Sequence, residues 1–147
     1  MLDRYWSGET SRVSAEAPIP VVHVADIEDR PGGAGNVALN IATLGASARL
    51  VGAVGDDEYA APLEAKLQSA GIGCTLHRQA DYRTITKLRI VSRKQQLVRA
   101  DFENDAPVDQ DAIGVLTDRA LSDGADMLLL SDYDKGVLAD PQRLIAA

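Results

Sequence analysis

The sequence predicts an α/β protein whose mainly parallel sheet is flanked by helices and carries a small β flap. Helix-period stretches alternate along the chain with short β-rich runs. Two of those runs, "ARLVGAVG" and "ADMLLLSD", are apolar with little alternation, as in strands covered on both faces. A third set of segments does not belong in such a sheet. One β-rich run begins with prolines and another pair reads as an antiparallel hairpin, so both are assigned to the flap.

Each element has a local reason. The first dozen residues show no clear period, and "APIPVVHVADIEDR" then reads as an edge strand because its prolines cannot donate to a ladder. From Val37 the apolar positions Val37, Ala38, Ile41, Ala42 and Leu44 recur at helical spacing, and Gly45 supplies the stop. After the strand "ARLVGAVG", Asp56 and Asp57 stand where a helix cap belongs, ahead of "EYAAPLEAKLQSA", and Gly71 ends that helix. "CTLHRQ" is a short strand. In "TITKLRIVSRKQQLVRADFE" two β-rich arms flank the polar turn Ser92–Gln95, with Ile85, Lys87, Arg89 and Val91 on one side and Thr86, Leu88 and Ile90 on the other. A loop at Ala106–Val108 leads to a helix over about Asp109–Leu121, then to the strand "ADMLLLSD" and the turn "DYDKG". Asp140 as cap and Pro141 as first helical residue open a last helix, which has barely begun at Ala147.

Bulk properties exclude several function classes. A net charge of −7 and a pI near 4.7 argue against a nucleic-acid binder. No apolar run approaches the roughly 20 residues of a membrane span, and the start "MLDRYWSGET" lacks the basic and apolar regions of a signal peptide. Cys74 is the sole cysteine, so it forms no intrachain disulfide and reads as a packing residue of a cytoplasmic protein. His23 and His77 are lone histidines on β runs and are given no role. Lys87, Arg89, Arg93, Lys94 and Arg99 cluster locally; the cluster suits either a small anionic ligand or a solvated strand face.

The stretch "RPGGAGNVALNIATLGA" crowds glycines before a helix, yet it is neither common nucleotide cradle. Ala38 stands where the third glycine of G-x-G-x-x-G belongs, and no glycine precedes the Lys-Ser/Thr of a P-loop. Spacing alone leaves a tight turn feeding a helix. The longer run "RPGGAGNVALNIATLGASARLVGAVGDD", however, resembles the Gly-Gly signature of the ribokinase-like (PfkB) sugar kinases. "LDRYWSGETSRVSAEAPIPVV", "TITKLRIVSRKQQLVRADFE" and "LLLSDYDKGVL" narrow the resemblance to the heptose 7-phosphate kinases of that family, over nearly all of the chain.

The resemblance implies a partial ribokinase-like domain over 1–147 whose β lid comes from about 13–29 and 84–101. It implies that Gly32, Gly33 and Asn36 contact the sugar rather than ATP, and that Asp3 accepts hydrogen bonds from sugar hydroxyls. Lys87, Arg89 and Arg99 become candidates for holding the sugar's 7-phosphate. Lys135 either lies near the transferred phosphate or is solvent-exposed. It further implies ATP and Mg²⁺ as cofactors, with sites mostly outside these residues, a sugar-phosphate substrate and a homodimer through the lid; no nucleic-acid or membrane partner is expected. The departures are the family's first buried strand and its C-terminal half. That half carries the Asn/Glu motif and the Gly-Ala-Gly-Asp segment, so the resemblance puts the catalytic aspartate beyond Ala147. No catalytic or metal-binding residue is therefore assigned, Asp56 and Asp57 being read as caps and Asp132 as a loop carboxylate. The fragment alone is expected to be poorly stable and to transfer no phosphate. The alternatives are another ribokinase-like kinase acting on fructose or adenosine, an autonomous sugar-phosphate binding module, and an inert fragment.

Overall fold

The computed structural model describes the chain apart from residues 105, 123, 140 and 147. In chain order the elements are β1 (Leu2–Val13), β2 (Pro20–Pro31), α1 (Ala34–Thr43), β3 (Arg49–Gly55), α2 (Ala60–Ser69), β4 (Gly73–Gln79), β5 (Thr86–Ser92), β6 (Gln95–Phe102), α3 (Gln110–Ser122) and the short α4 (Gln142–Ile145). They build an α/β structure with two sheets. One has the order β2-β1-β5-β6, and the other pairs β3 with β4. The parallel pairings are β1–β5 and β3–β4, and the antiparallel ones are β1–β2 and β5–β6. The α/β fold with a β flap expected from sequence is present: the segments assigned to the flap lie in a mixed four-stranded sheet, beside the parallel pair β3–β4.

The first dozen residues, which show no period in sequence, form a full 12-residue strand. The reason is that neither face of β1 is simply polar or apolar. Asp3, Tyr5 and Ser7 line one side, and Leu2, Arg4 and Trp6 the other. β2 is an edge strand, as its prolines predict. The expected hairpin turn is present, with Arg93 and Lys94 both at positive φ (49° and 68°) between paired Ser92 and Gln95. Two left-handed residues in a two-residue loop give the type I′ geometry that matches strand twist.

The run "ADMLLLSD" is not a strand. Its residues form no ladder, and Met127 is 81% exposed. A strand needs a neighbour for its backbone groups. Here the segment instead lines a cavity of about 980 Å³ whose far side includes Ile41, Val51 and Ala53. At the last helix, Pro141 is the cap residue rather than the first helical one. The expected cap Asp140 and the terminal Ala147, beyond which the resemblance puts the catalytic aspartate, lie outside the described residues. The helix itself ends at Ile145, with Ala146 as its cap.

The main core joins Leu2, Ala38, Val54, Ala60, Leu63, Leu67 and Ile72. Cys74 packs against it, and burial pushes its thiol above the usual range, in keeping with a packing role. A smaller cluster of Tyr82, Ile85 and Val108 sits beneath α3.

One polar node links the parts. Asp57 Oδ1 accepts from the N–H groups of Tyr59 (3.1 Å) and Ala60 (3.2 Å), and Oδ2 accepts from Thr84 N–H (2.8 Å). Buried Thr84 in turn accepts from Gly55 N–H through its hydroxyl at 2.9 Å. The cap residue of α2 is Tyr59 rather than either aspartate, and Asp57 instead braces the helix start from two residues ahead, whereas Asp56 is used through its backbone, donating to the Gln79 carbonyl. Removing the carboxylate orphans a helix-start N–H and the Thr84 N–H together. Asp57→Ala is expected to cost about 2–3 kcal/mol in urea unfolding, more than an ordinary cap. A loss below about 0.5 kcal/mol would show that the node is dispensable.

Candidate functional site

Strand alternation and register place the charged side chains on one face of the four-stranded sheet. Reading across the strands, one row is Arg30, Asp3, Lys87 and Asp101, and the next is Glu28, Tyr5, Arg89 and Arg99. Cross-strand neighbours on one face lie close enough to pair. The register of β6 depends on a bulge: Val91 faces Gln96, but Ile90 faces Val98, so Leu97 is the extra residue. That insertion brings Arg99 and Asp101 round to the face of Lys87 and Arg89.

Every cation in these rows has a counter-charge. Arg89 Nη1 donates to Asp3 Oδ1 at 2.7 Å. Arg30 donates to both carboxylate oxygens of Glu28 at 2.7 Å. Lys87 Nζ donates to Asp101 Oδ2 at 2.7 Å, while Arg99 Nε donates to Oδ1 of the same carboxylate at 2.8 Å. The Lys87 bond, and after it the Arg99 bond, hold the Asp101 carboxyl below the usual carboxylate range. Asp101 is therefore charged at neutral pH, and its pairs are lost only as pH falls through that lowered range. Tyr5 lies between two guanidiniums, with Arg30 4.8 Å and Arg89 5.2 Å from its ring centroid.

The Gly-Gly turn abuts this face. A Cβ on Gly32 would sit 2.5 Å from Asp3 Oδ2, so the missing side chain is what lets the carboxylate lie there. Gly32 N–H donates to the Met1 carbonyl at 3.0 Å, fixing the turn to the start of β1. Gly33 precedes α1 with φ 53° and ψ −128°, a conformation open to glycine and costly for other residues. Asn36 is exposed on the first turn of α1. The structure thus brings Asp3, Gly32, Lys87, Arg89 and Arg99 together, with Gly33 and Asn36 at their border. Lys135 is held differently. Its ammonium pairs with Glu103 at 2.8 Å, and its carbonyl accepts from the Tyr82 hydroxyl at 3.3 Å.

Tyr5, Glu28, Arg30 and Asp101 belong to the face but were not singled out from sequence. Counting in twos from Asp3 finds Tyr5, and counting back in twos from Gly32 finds Arg30 and Glu28. Asp101 needs the bulge, which leaves no sequence mark. The opposite face differs in character. Arg4 pairs with both Asp29 oxygens (2.7 and 2.8 Å) and lies 5.0 Å from the Tyr59 ring centroid, tying the sheet to the start of α2. Farther out it carries Trp6, Ile27, Ile90 and Val98 in one row.

Gly32→Ala tests how the carboxylate is seated. The new methyl must displace Asp3 from Arg89 rather than unfold the chain, at an expected cost of about 0.2–1 kcal/mol for the part-exposed pair. In a double-mutant cycle, adding Arg89→Gln to Gly32→Ala should then change stability by less than about 0.5 kcal/mol beyond the single variants' larger effect. Full additivity would mean that the glycine and the ion pair are independent.

The comparisons agree with this architecture. The model for the family described as "pfkB family carbohydrate kinase" matches residues 4–141. The chain is 58% identical over 147 residues to the Bifunctional protein HldE of Pseudomonas fluorescens Pf-5, covering 100% of this chain and 31% of that protein. It is 54% identical to the protein of that name from Alkalilimnicola ehrlichii, with the same coverage. The chain therefore spans about a third of the length of these relatives. In fold it resembles Escherichia coli phosphofructokinase-2 crystallised with fructose-6-phosphate (TM-score 0.62, 20% identity, 82% of this chain and 38% of that one). A putative sugar kinase from Clostridium perfringens is similar at a TM-score of 0.58 and 16% identity, over 80% of this chain and 37% of that one.

Proposed function

Because this chain belongs to the pfkB family of carbohydrate kinases, we propose that it forms the sugar-binding and lid part of a cytoplasmic kinase that phosphorylates the anomeric hydroxyl of a heptose 7-phosphate. The observation that carries the acceptor reading is the Asp3 carboxylate lying against Gly32, on a sheet face that also presents Lys87, Arg89 and Arg99. A polyol needs paired donors and acceptors. Asp3 supplies acceptor oxygens, and the exposed Asn36 amide supplies both kinds of group. The cations supply what a sugar phosphate adds to a sugar. The heptose assignment rests on the four sequence motifs together with the high identity over the whole chain.

In this reading the four-stranded sheet is the lid, with expected segments 13–29 and 84–101, and β1 joins them. Closure brings the hydroxyl-reading and charge-reading groups onto the sugar together, so that the correct substrate drives the closure. ATP is the phosphoryl donor. Mg²⁺ accompanies ATP in this reading, with sites mostly outside these residues. Lys135, paired with Glu103, stays a candidate for contact with the transferred group only if that pair opens.

The assignment is checked by steady-state kinetics on the full-length gene product. Heptose 7-phosphate is expected to exceed fructose 6-phosphate and adenosine in kcat/KM by at least about a hundredfold, well within the roughly 10⁴-fold reached when polar groups of a site go unpaired in the wrong substrate. A preference for either competitor overturns it.

The lid also suits a second copy of the chain. Trp6, Ile27, Ile90 and Val98 form an apolar row, with Ile27 59% exposed. Val98 in the same row is 49% exposed. An exposed apolar row on one sheet face is what an isologous contact would cover. Sedimentation of the full-length protein should show a dimer that Ile27→Lys converts to monomer. A wild-type monomer at micromolar concentration would remove the dimer from the proposal.

A further inference from the structure

We propose that Asp101 is a charge gate on the acceptor site: its carboxylate occupies Lys87 and Arg99, the two cations that a substrate phosphate takes, and yields them only to a phosphate group. The inference rests on the acceptor reading above and deepens it by separating the three candidate phosphate ligands, which sequence treats as equivalent.

The separation follows from how the charges are shared. Arg30 has Glu28 to itself, and Arg89 is matched by Asp3. Lys87 and Arg99 share one carboxylate, each held by a different oxygen. Within these two rows the uncompensated positive charge therefore lies at Lys87 and Arg99. Arg89 is committed to Asp3 and acts as a positioning residue for that carboxylate, whereas Lys87 and Arg99 are the pair with charge to spare.

The geometry also suits replacement. A carboxylate that accepts from an ammonium and a guanidinium, one oxygen each, fills the place that two oxygens of a phosphate would fill. A phosphate monoester carries about −1.5 to −2 charges at pH 7 and three acceptor oxygens, against one charge and two oxygens for Asp101. It can satisfy both cations with more charge than the residue it displaces. Neutral sugars cannot. The side chain of Asp101 is 25% exposed and that of Arg99 50%, so the carboxylate has water to move into. Lys87 is 19% exposed, and the pairing holds its long side chain in place before substrate arrives.

The β6 bulge is what makes the gate. With a plain two-residue hairpin Lys87 would face Ala100, and Arg99 and Asp101 would lie on the side of Leu88. The extra residue at Leu97 sets Asp101 opposite Lys87 and Arg99 opposite Arg89. Acid and both cations reach the site face through one irregularity.

The test is calorimetric titration of the full-length protein at fixed ionic strength with inorganic phosphate, heptose 7-phosphate and unphosphorylated heptose. Asp101→Asn should bind both phosphate-bearing probes about 1.5- to fivefold more tightly, with no change for the neutral heptose. Unchanged or weaker phosphate binding by a variant with wild-type Tm overturns the gate. Tighter binding of inorganic phosphate without any preference for heptose 7-phosphate upholds the gate and removes the heptose assignment. Should Asp101→Asn fail to fold, Arg99→Gln decides the matter. It should weaken heptose 7-phosphate binding by a similar factor and spare neutral heptose, and equal binding of the phosphorylated sugar by variant and wild type overturns the proposal.

Discussion

The Asp57 carboxylate is the interaction on which the arrangement of the two sheets depends. It answers N–H groups at the start of α2 with one oxygen and the N–H of Thr84, at the root of β5, with the other. Thr84 then reaches back to Gly55 at the end of β3. A buried or part-buried N–H left without a partner costs on the order of 1–3 kcal/mol, so each of these contacts has few substitutes. Space enforces the same point, because a Cβ on Gly55 would meet both Asp57 Oδ2 and the backbone at Tyr82 and Thr84. The β3–β4 unit, α2 and the four-stranded sheet are thereby joined at a polar point as well as through the apolar core that Leu2 shares with Val54, Leu63 and Leu67. The second tie, Arg4 to Asp29 beside Tyr59, lies at the start of the same helix. Both anchors of the sheet therefore meet α2 near its N-terminus.

That placement leaves the charged face free of packing duties. Leu2 is fully buried in the core, yet its neighbour Asp3 is on the other side of the strand, against Gly32. β1 thus carries core and site on alternate residues, and the short distance between them is a consequence of strand periodicity. The face itself is a row of cations balanced by acids. Exposed pairs of this kind add little to stability, so their organisation is better explained by what they present than by what they hold together.

Much of the fold was legible because its signals are local. Helix-period apolar residues and the glycines at Gly45 and Gly71 located α1 and α2, whose ends fall where those glycines adopt positive φ. The edge character of β2 followed from its prolines, and the two faces of β5 from simple alternation. What was missed is not local. β1 mixes polar and apolar residues on both faces because one end is in the core and the other is lid. The type I′ turn uses Arg93 and Lys94 instead of Asn-Gly, so it announced a turn but not its type. The apolar run at 125–132 carries the composition of a buried strand, but strand formation depends on a neighbour that composition cannot report. For the site, Gly32 and Asp3 were found by resemblance, while the reason they belong together, an approach that a single Cβ would block, is visible only in three dimensions.

The bulge at Leu97 shows why register carries chemistry that residue lists do not. Grouping Lys87, Arg89 and Arg99 from sequence assumed that Arg99 faces the same way as the other two. In an unbroken two-residue hairpin that assumption fails, because a slip of one residue turns each side chain to the other face. The inserted residue restores it and turns Asp101 along with Arg99. A bulge therefore cannot deliver the cation without also delivering the acid two residues on. The same irregularity creates the positive pair and sets its threshold. Charge on this face is placed by strand geometry: a change of hairpin length would remove Arg99 and Asp101 together, leaving the net charge of the two rows as it is but Lys87 without its acid.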